Sequence, residues 1–203
     1  MARKRVAILI SGRGSNMAAL IEAARAPDYP AEIALVISNR PDAAGLAHAA
    51  EAGIRTTVVD HTEFTDRPAF EAALTERLEA AGVDLVCHAG FMRIVTAGYV
   101  DRWRDRLINI HPSLLPSFPG LNTHARALDA GVKVHGCTVH FVRTAVDDGP
   151  IIAQAEVPVL AGDTPESLAA RVLAAEHRLY PEALARVAAG KVQVVDDRVV
   201  LSA

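Results

Sequence analysis

The sequence predicts an α/β protein: a Rossmann-like, mostly parallel sheet flanked by helices, with an antiparallel portion near its C-terminal end. Three observations predict it. Short apolar, β-branched runs alternate with helical stretches through the first half of the chain, the signature of βαβ units. The first run closes on a glycine-containing turn that opens a helix, Ser11-Gly12-Arg13-Gly14-Ser15-Asn16. Beyond residue 132, two apolar runs follow one another with no helix between them, so their strands must return antiparallel.

Val6 to Ile10 is the first strand and Met17 to Ala26 the first helix. Strand, glycine turn and helix present backbone N–H groups and a positive dipole end to an anion. A Rossmann fingerprint would place a third glycine where Met17 stands, and no Gly-Lys-Ser/Thr follows, so a single phosphate suits the turn better than a dinucleotide or triphosphate. The alternative is a tight turn with Ser15 or Asn16 as helix N-cap. Ile33 to Ile37 forms the second strand, closed by Ser38 to Asp42. Ala43 to Ala52 is an alanine-rich helix capped by Gly53. Thr56 to Val59 is a short strand, Asp60 to Pro68 a polar loop, and Phe70 to Ala81 a helix ended by Gly82. Leu85 to Ala89 is a buried strand running into Gly90-Phe91-Met92-Arg93-Ile94-Val95, where a glycine and an arginine interrupt an apolar segment. Ala97 to Arg104 is a short helix.

The strand starting at Leu107 carries Asn109 and His111 two residues apart, hence on one face. Burying an unpaired amide or imidazole costs roughly 1–3 kcal/mol, so the pair needs partners or a task. Pro112 ends the ladder, and a stiff proline loop runs to Gly120. Thr123 to Ala130 is helical, Lys133 to Phe141 and Ile151 to Val157 are the consecutive strands, and Arg143 to Pro150 is an acidic turn between them. Thr164 caps and Pro165 opens a long helix to about Ala189, which Pro181 should kink or split. Val192 to Leu201 resembles a hairpin around Asp196-Asp197.

Composition narrows the class. The 203 residues, 51% hydrophobic, suit one core, with residues 1–105 as a nucleotide-binding-type half and 106–203 as a catalytic half. No run approaches the roughly 18 apolar residues of a membrane helix. Arg3-Lys4-Arg5 before Val6 to Ile10 mimics a signal peptide, but the apolar run is too short. Cys87 and Cys137 sit in apolar runs as core residues rather than a disulfide. A net charge of −3 argues against nucleic acid. These traits describe a soluble, cytoplasmic protein. Eight histidines include no His-Glu-x-x-His and no cysteine pair at zinc spacing, so no metal is expected. No Gly-x-Ser-x-Gly elbow supports hydrolytic serine chemistry.

What remains is an amide, an imidazole and a carboxylate. Asn109 can donate to a developing oxyanion, His111 can act as general acid or base, and Asp147 can favour the charged form of His111. Without an activated nucleophile, the set suits direct acyl transfer to an amine.

The run Asn109-Ile-His-Pro-Ser-Leu-Leu-Pro116 with a downstream Asp147 resembles the phosphoribosylglycinamide formyltransferases, the folate-dependent formyltransferase family of purine biosynthesis. The likeness extends from the first strand through the long C-terminal helix. It implies that Gly14, Ser15 and Asn16 hold the phosphate of glycinamide ribonucleotide, with Glu176 contacting the same substrate. Met92, Arg93, Ile94 and Val95 and the turn Val142, Arg143, Thr144, Ala145, Val146 would line the pterin pocket of 10-formyltetrahydrofolate, with Asn109 also at the folate and Arg67 near it. Asn109, His111 and Asp147 would be catalytic, without metal, in a monomer or homodimer. Leu173 near Glu176 stands where relatives carry a polar residue, and Ser117 and Phe118 replace a commoner basic–tyrosine pair. A formyltetrahydrofolate hydrolase or a methionyl-tRNA formyltransferase shares the triplet but carries an added domain. A non-catalytic nucleotide-binding module explains the glycine loop but not the triplet.

Overall fold

The computed structural model describes residues 2–201. Seven strands form one sheet in the order β3-β2-β1-β4-β5-β6-β7. They are β1 (Lys4–Ile10), β2 (Ala31–Ser38), β3 (Thr56–Val58), β4 (Leu85–His88), β5 (Leu107–His111), β6 (Val134–Phe141) and β7 (Ile151–Pro158). The first five run parallel, whereas β6 pairs antiparallel with both β5 and β7. The expected antiparallel return occurs between β6 and β7, which no helix separates; β6 also runs antiparallel to β5, although the helix Thr123–Asp129 lies between them.

Both faces are covered, so successive β1 residues feed opposite cores. Val6, Ile8 and Ile10 pack with Met17 and Leu20 of α1 (Ser15–Ala24) and with Val172 and Tyr180 of the long C-terminal helix. Ala7 and Leu9 pack with Phe70, Leu74 and Leu78 of α3 (Arg67–Ala80) and with Tyr99 and Trp103 at α4 (Ala97–Arg102). Complete burial of such side chains contributes roughly 1.5–3 kcal/mol apiece. Two short helices, α2 (Gly45–Glu51) and α5 (Thr123–Asp129), complete the layers.

Several local expectations are refined. Neither Ser15 nor Asn16 caps α1: the N-cap is Gly14, in a left-handed conformation at φ 72°, with no side-chain cap bond. Helix α3 begins at Arg67, within the expected loop, because Asp66 caps it by accepting from the Ala69 N–H at 2.9 Å and Pro68 is in its first turn. The long helix, α6 (Pro165–Ala188), runs through Pro181 without splitting. Buried Tyr180, Ala183 and Leu184 hold both sides of that proline against the core, and the Tyr29 hydroxyl donates to the Pro181 carbonyl at 2.7 Å. The tail is a hairpin, β8 (Val192–Val195) and β9 (Arg198–Leu201), turning on Asp196 and Asp197 with positive φ at both, the geometry of a type I′ turn. No helix among the described residues is long and apolar enough to cross a membrane.

Candidate active site

The chain leaves β1 toward β2 on one side and reaches β4 on the other, so the crevice at the carboxyl ends of β1 and β4 is the topological switch point. A cavity of about 470 Å³ opens there, its wall including Gly12, Gly14, Ser15, Asn16 and the arginines Arg13 and Arg93. Gly14 takes its left-handed turn against α2. A Cβ at Gly14 would lie 3.1 Å from the Gly45 Cα, and one at Gly45 would lie 2.6 Å from Ile10 Cδ1 and 3.1 Å from the Gly12 carbonyl oxygen. The Gly45 N–H donates to that carbonyl at 3.0 Å. Two glycines meeting face to face thus set the loop. Below it, Asn16 Nδ2 donates to Glu176 Oε2 at 2.6 Å, joining the loop to α6. Burial pushes the Glu176 carboxyl up from its ordinary value, and the Asn16 bond opposes this. Asn16 Oδ1 is buried without a partner among the described residues.

The second cluster grows from β5. Asn109 and His111 share one face, and the antiparallel register sets Asn109 opposite His140 of β6. Asn109 Nδ2 and His140 Nε2 are 3.3 Å apart. His140 Nδ1 lies 2.9 Å from the Phe141 carbonyl, which only accepts, so Nδ1 carries the proton and Nε2 accepts from the amide. Burial holds the pKa of His140 below its ordinary value, consistent with that neutral tautomer. His111 Nε2 donates to the Phe118 carbonyl at 3.0 Å, and its Nδ1 lies 3.4 Å from Asp147 Oδ2. Both ring nitrogens thus face acceptors. Asp147 is itself held by the Gly120 N–H at 2.8 Å.

The proline loop that supplies Phe118 and Gly120 is pinned as its composition suggests. Thr138 Oγ1 accepts from the Leu115 N–H at 3.0 Å and donates to the Ser113 carbonyl at 2.7 Å. Thr123 Oγ1 closes the other side on the Pro112 carbonyl.

The remaining expected site residues are more dispersed. Met92 and Arg93 share the cavity lined by the glycine loop. Met92 and Ile94 are exposed, Val95 half-buried. The Met92 N–H donates to Ser11 Oγ at 2.8 Å, and Ser11 donates in turn to Asn39 Oδ1, so this wall is tied to the end of β1. Thr144, Ala145 and Val146 are exposed, while Val142 is half-buried with its N–H on the Leu107 carbonyl. Arg143 turns away, into Asp105 and Asp197, so its side chain is committed elsewhere. Arg67 stands exposed at the start of α3, outside the cavity wall. Asn109, His111 and Asp147 form their own cluster rather than lining that cavity. Among the described residues no group of three or more His, Cys, Asp or Glu is placed to hold a metal ion. His140, Gly45 and Ser11 emerge from the structure alone; alternation along β6 puts His140 on a face but not opposite Asn109.

Comparison with known proteins agrees with this geometry. A family model described as formyl transferase matches residues 4–184. The chain is 53% identical over 190 residues to the trifunctional purine biosynthetic protein adenosine-3 of Drosophila melanogaster, covering 93% of this chain but 14% of that protein. It is 42% identical over 189 residues to the phosphoribosylglycinamide formyltransferase of Escherichia coli, covering 93% of this chain and 89% of that one. The crystal structure of glycinamide ribonucleotide transformylase 1 from Symbiobacterium toebii superposes with a TM-score of 0.96 at 50% identity, over 99% of this chain and 95% of that chain. On the family match and these identities, the chain belongs to the phosphoribosylglycinamide formyltransferase family of formyl transferases.

Proposed function

We propose that this chain, as one formyltransferase domain over residues 1–203, transfers the formyl group of 10-formyltetrahydrofolate to the glycyl amine of glycinamide ribonucleotide. The products are the N-formyl ribonucleotide and tetrahydrofolate, a step of purine biosynthesis. What carries the reading is the convergence of Asn109, His111 and Asp147 at the antiparallel junction of the sheet, in a chain whose phosphate-type loop opens a cavity at the switch point.

The roles follow from the bonds already made. One Asn109 amide hydrogen is spent on His140, and the other is available to an oxyanion. His111, flanked by the Asp147 carboxylate and the Phe118 carbonyl, holds a positive charge beside that oxyanion, and Asp147 stabilises the charge. When bound, the folate supplies the formyl carbon: the amine forms its bond there, the bond to the folate nitrogen breaks, and a proton passes from amine to leaving nitrogen. No covalent enzyme intermediate is needed. The loop Gly14-Ser15-Asn16 binds the ribonucleotide phosphate, Glu176 contacts the same substrate, and that remote binding energy aligns the amine. The exposed apolar side chains Met92, Ile94 and Val146 offer a surface for the folate, and Arg67 a charge for its carboxylates. The enzyme would work in the cytoplasm as a monomer or homodimer, with no metal, nucleic acid or membrane involved.

The test is absorbance of 10-formyltetrahydrofolate with purified protein, with and without glycinamide ribonucleotide. Deformylation only in the presence of the ribonucleotide, abolished in His111→Ala, is the expected result. Deformylation without the ribonucleotide would instead make the protein a hydrolase, and no reaction in either case would leave a binding protein.

A further inference from the structure

Arg143 is the least expected side chain in the loop between β6 and β7. It stands in the turn assigned to the folate pocket, yet its guanidinium is 9% exposed and points the other way. Nη2 donates to Asp105 Oδ1 at 2.7 Å and Nε to Asp197 Oδ1 at 2.7 Å, while Nη1 reaches the Val142 carbonyl at 3.1 Å. Asp105 precedes β5, the strand that carries Asn109 and His111. Asp197 is in the turn of the C-terminal hairpin. One buried cation therefore ties together three segments that are remote in sequence. A guanidinium suits the task because its rigid fork serves two carboxylates at once.

The Val142 N–H on the Leu107 carbonyl and the Gly120 N–H on Asp147 Oδ2 also hold the loop, and its far end is anchored separately. The Phe141 N–H donates to the Pro150 carbonyl at 2.9 Å, and a Cβ at Gly149 would fall 1.6 Å from the Phe141 carbonyl oxygen. Between Arg143 and Gly149 lie the exposed residues Thr144, Ala145 and Val146, and then Asp147 at φ 55°. The hairpin in turn seats Val192, Val194 and Val199 against the core and faces Asp148 to Ile151 across a cleft of about 440 Å³.

We propose that Arg143, Asp197 and Asp105 form a clamp by which the C-terminal hairpin positions the loop carrying Asp147. The hairpin is then part of the active-site scaffold although it contributes no group to the chemistry. Arg143 and Asp197 are positioning residues: they act through the place of the Asp147 carboxylate and of the 142–146 wall. This rests on the reading of Asp147 and the loop given under the proposed function.

The test uses the whole chain with Asp197→Asn, Arg143→Gln and the double variant. Asparagine tolerates the positive φ of the turn while removing the charge. Loss of a charge-assisted bond is expected to raise KM for 10-formyltetrahydrofolate about fivefold, with KM for glycinamide ribonucleotide within about twofold of wild type. Asp197→Asn should add little in the Arg143→Gln background. Hydrogen exchange of the Gly120 amide, which is bonded to Asp147 Oδ2, should accelerate in each variant while β1 amides stay protected. An unchanged folate KM together with unchanged Gly120 exchange would overturn the clamp. So would equal rises in both KM values with loss of protection throughout the sheet, since the contact would then only hold the fold together. Should the wild type fail to transfer formyl groups, the proposed function falls, and Gly120 exchange still decides the clamp.

Discussion

Asn109 Nδ2 and His140 Nε2 face each other 3.3 Å apart across the antiparallel pair β5–β6. The imidazole accepts because its other nitrogen is committed to the Phe141 carbonyl, so it fixes which way the amide points. Replacing His140 with Phe keeps the bulk and removes the acceptor. The expected result is a fall in kcat of about tenfold to a hundredfold, less than the roughly 10²–10³ for loss of an oxyanion donor itself, with KM for the ribonucleotide unchanged. Steady-state kinetics with both substrates varied checks this.

Asn109→Ala removes the donor outright. Turnover should fall by about 10²–10³, and the double variant with His140→Phe should lose less than the two single losses combined, since the imidazole acts in part through the amide and lies 3.9 Å from Asp147 Oδ1 as well. Single-turnover measurement separates this chemical effect from product release. Near-wild-type turnover in Asn109→Ala would end the oxyanion assignment.

Gly45 sets the glycine loop at residues 12–14 from behind. In Gly45→Ala the new methyl meets Ile10 Cδ1, which can swing aside, but also the Gly12 carbonyl oxygen and the Gly14 Cα, which cannot. KM for glycinamide ribonucleotide should rise about tenfold or more, as expected when a fixed backbone cradle shifts, while KM for the folate holds. Titration of inorganic phosphate as a competitive inhibitor reports the same loss independently of turnover.

His88 supplies a pH test of the fold. It lies 4% exposed against Phe91, with Nε2 unpartnered among the described residues, and burial lowers its pKa from 6.5 to about 3. The folded state therefore keeps it neutral where the unfolded chain protonates it. Stability is unaffected well above pH 6.5 and declines as pH falls from there toward 3, with a limiting slope of about 1.4 kcal/mol per pH unit from this residue. Urea unfolding of His88→Phe across that range should show a shallower acid slope than wild type.

Much of this was legible in the residues. Period-two spacing put Asn109 and His111 on one face, and the missing helix between Phe141 and Ile151 foretold the antiparallel turn. The residues that escaped share a cause: their significance is a distance across the fold. His140 matters through a register between strands some thirty residues apart, and no periodicity within one strand reports it. Gly45 reads as one more small residue in an alanine-rich helix until the Gly14 turn is seen to touch it. Arg143 is placed at the folate only by the resemblance and its position in the turn, and the partners of its side chain lie in an upstream turn and a tail hairpin. Pro181 does not split the helix, one of its two expected effects, since buried residues on both sides of it hold the helix against the core.

The reversal of strand direction at β5 also divides labour along the chain. Asn109, His111, His140 and Asp147 all belong to one stretch folded back on itself. The glycine loop and Glu176, by contrast, come from the end of the first strand and the last long helix, and Asn16 bonds one to the other. On the reading proposed here, the activation of the formyl donor and the choice of acceptor are thus inherited separately. Redesign of the loop at residues 12–16 with Glu176 would redirect the formyl group to a different amine while leaving the machinery that hands it over untouched.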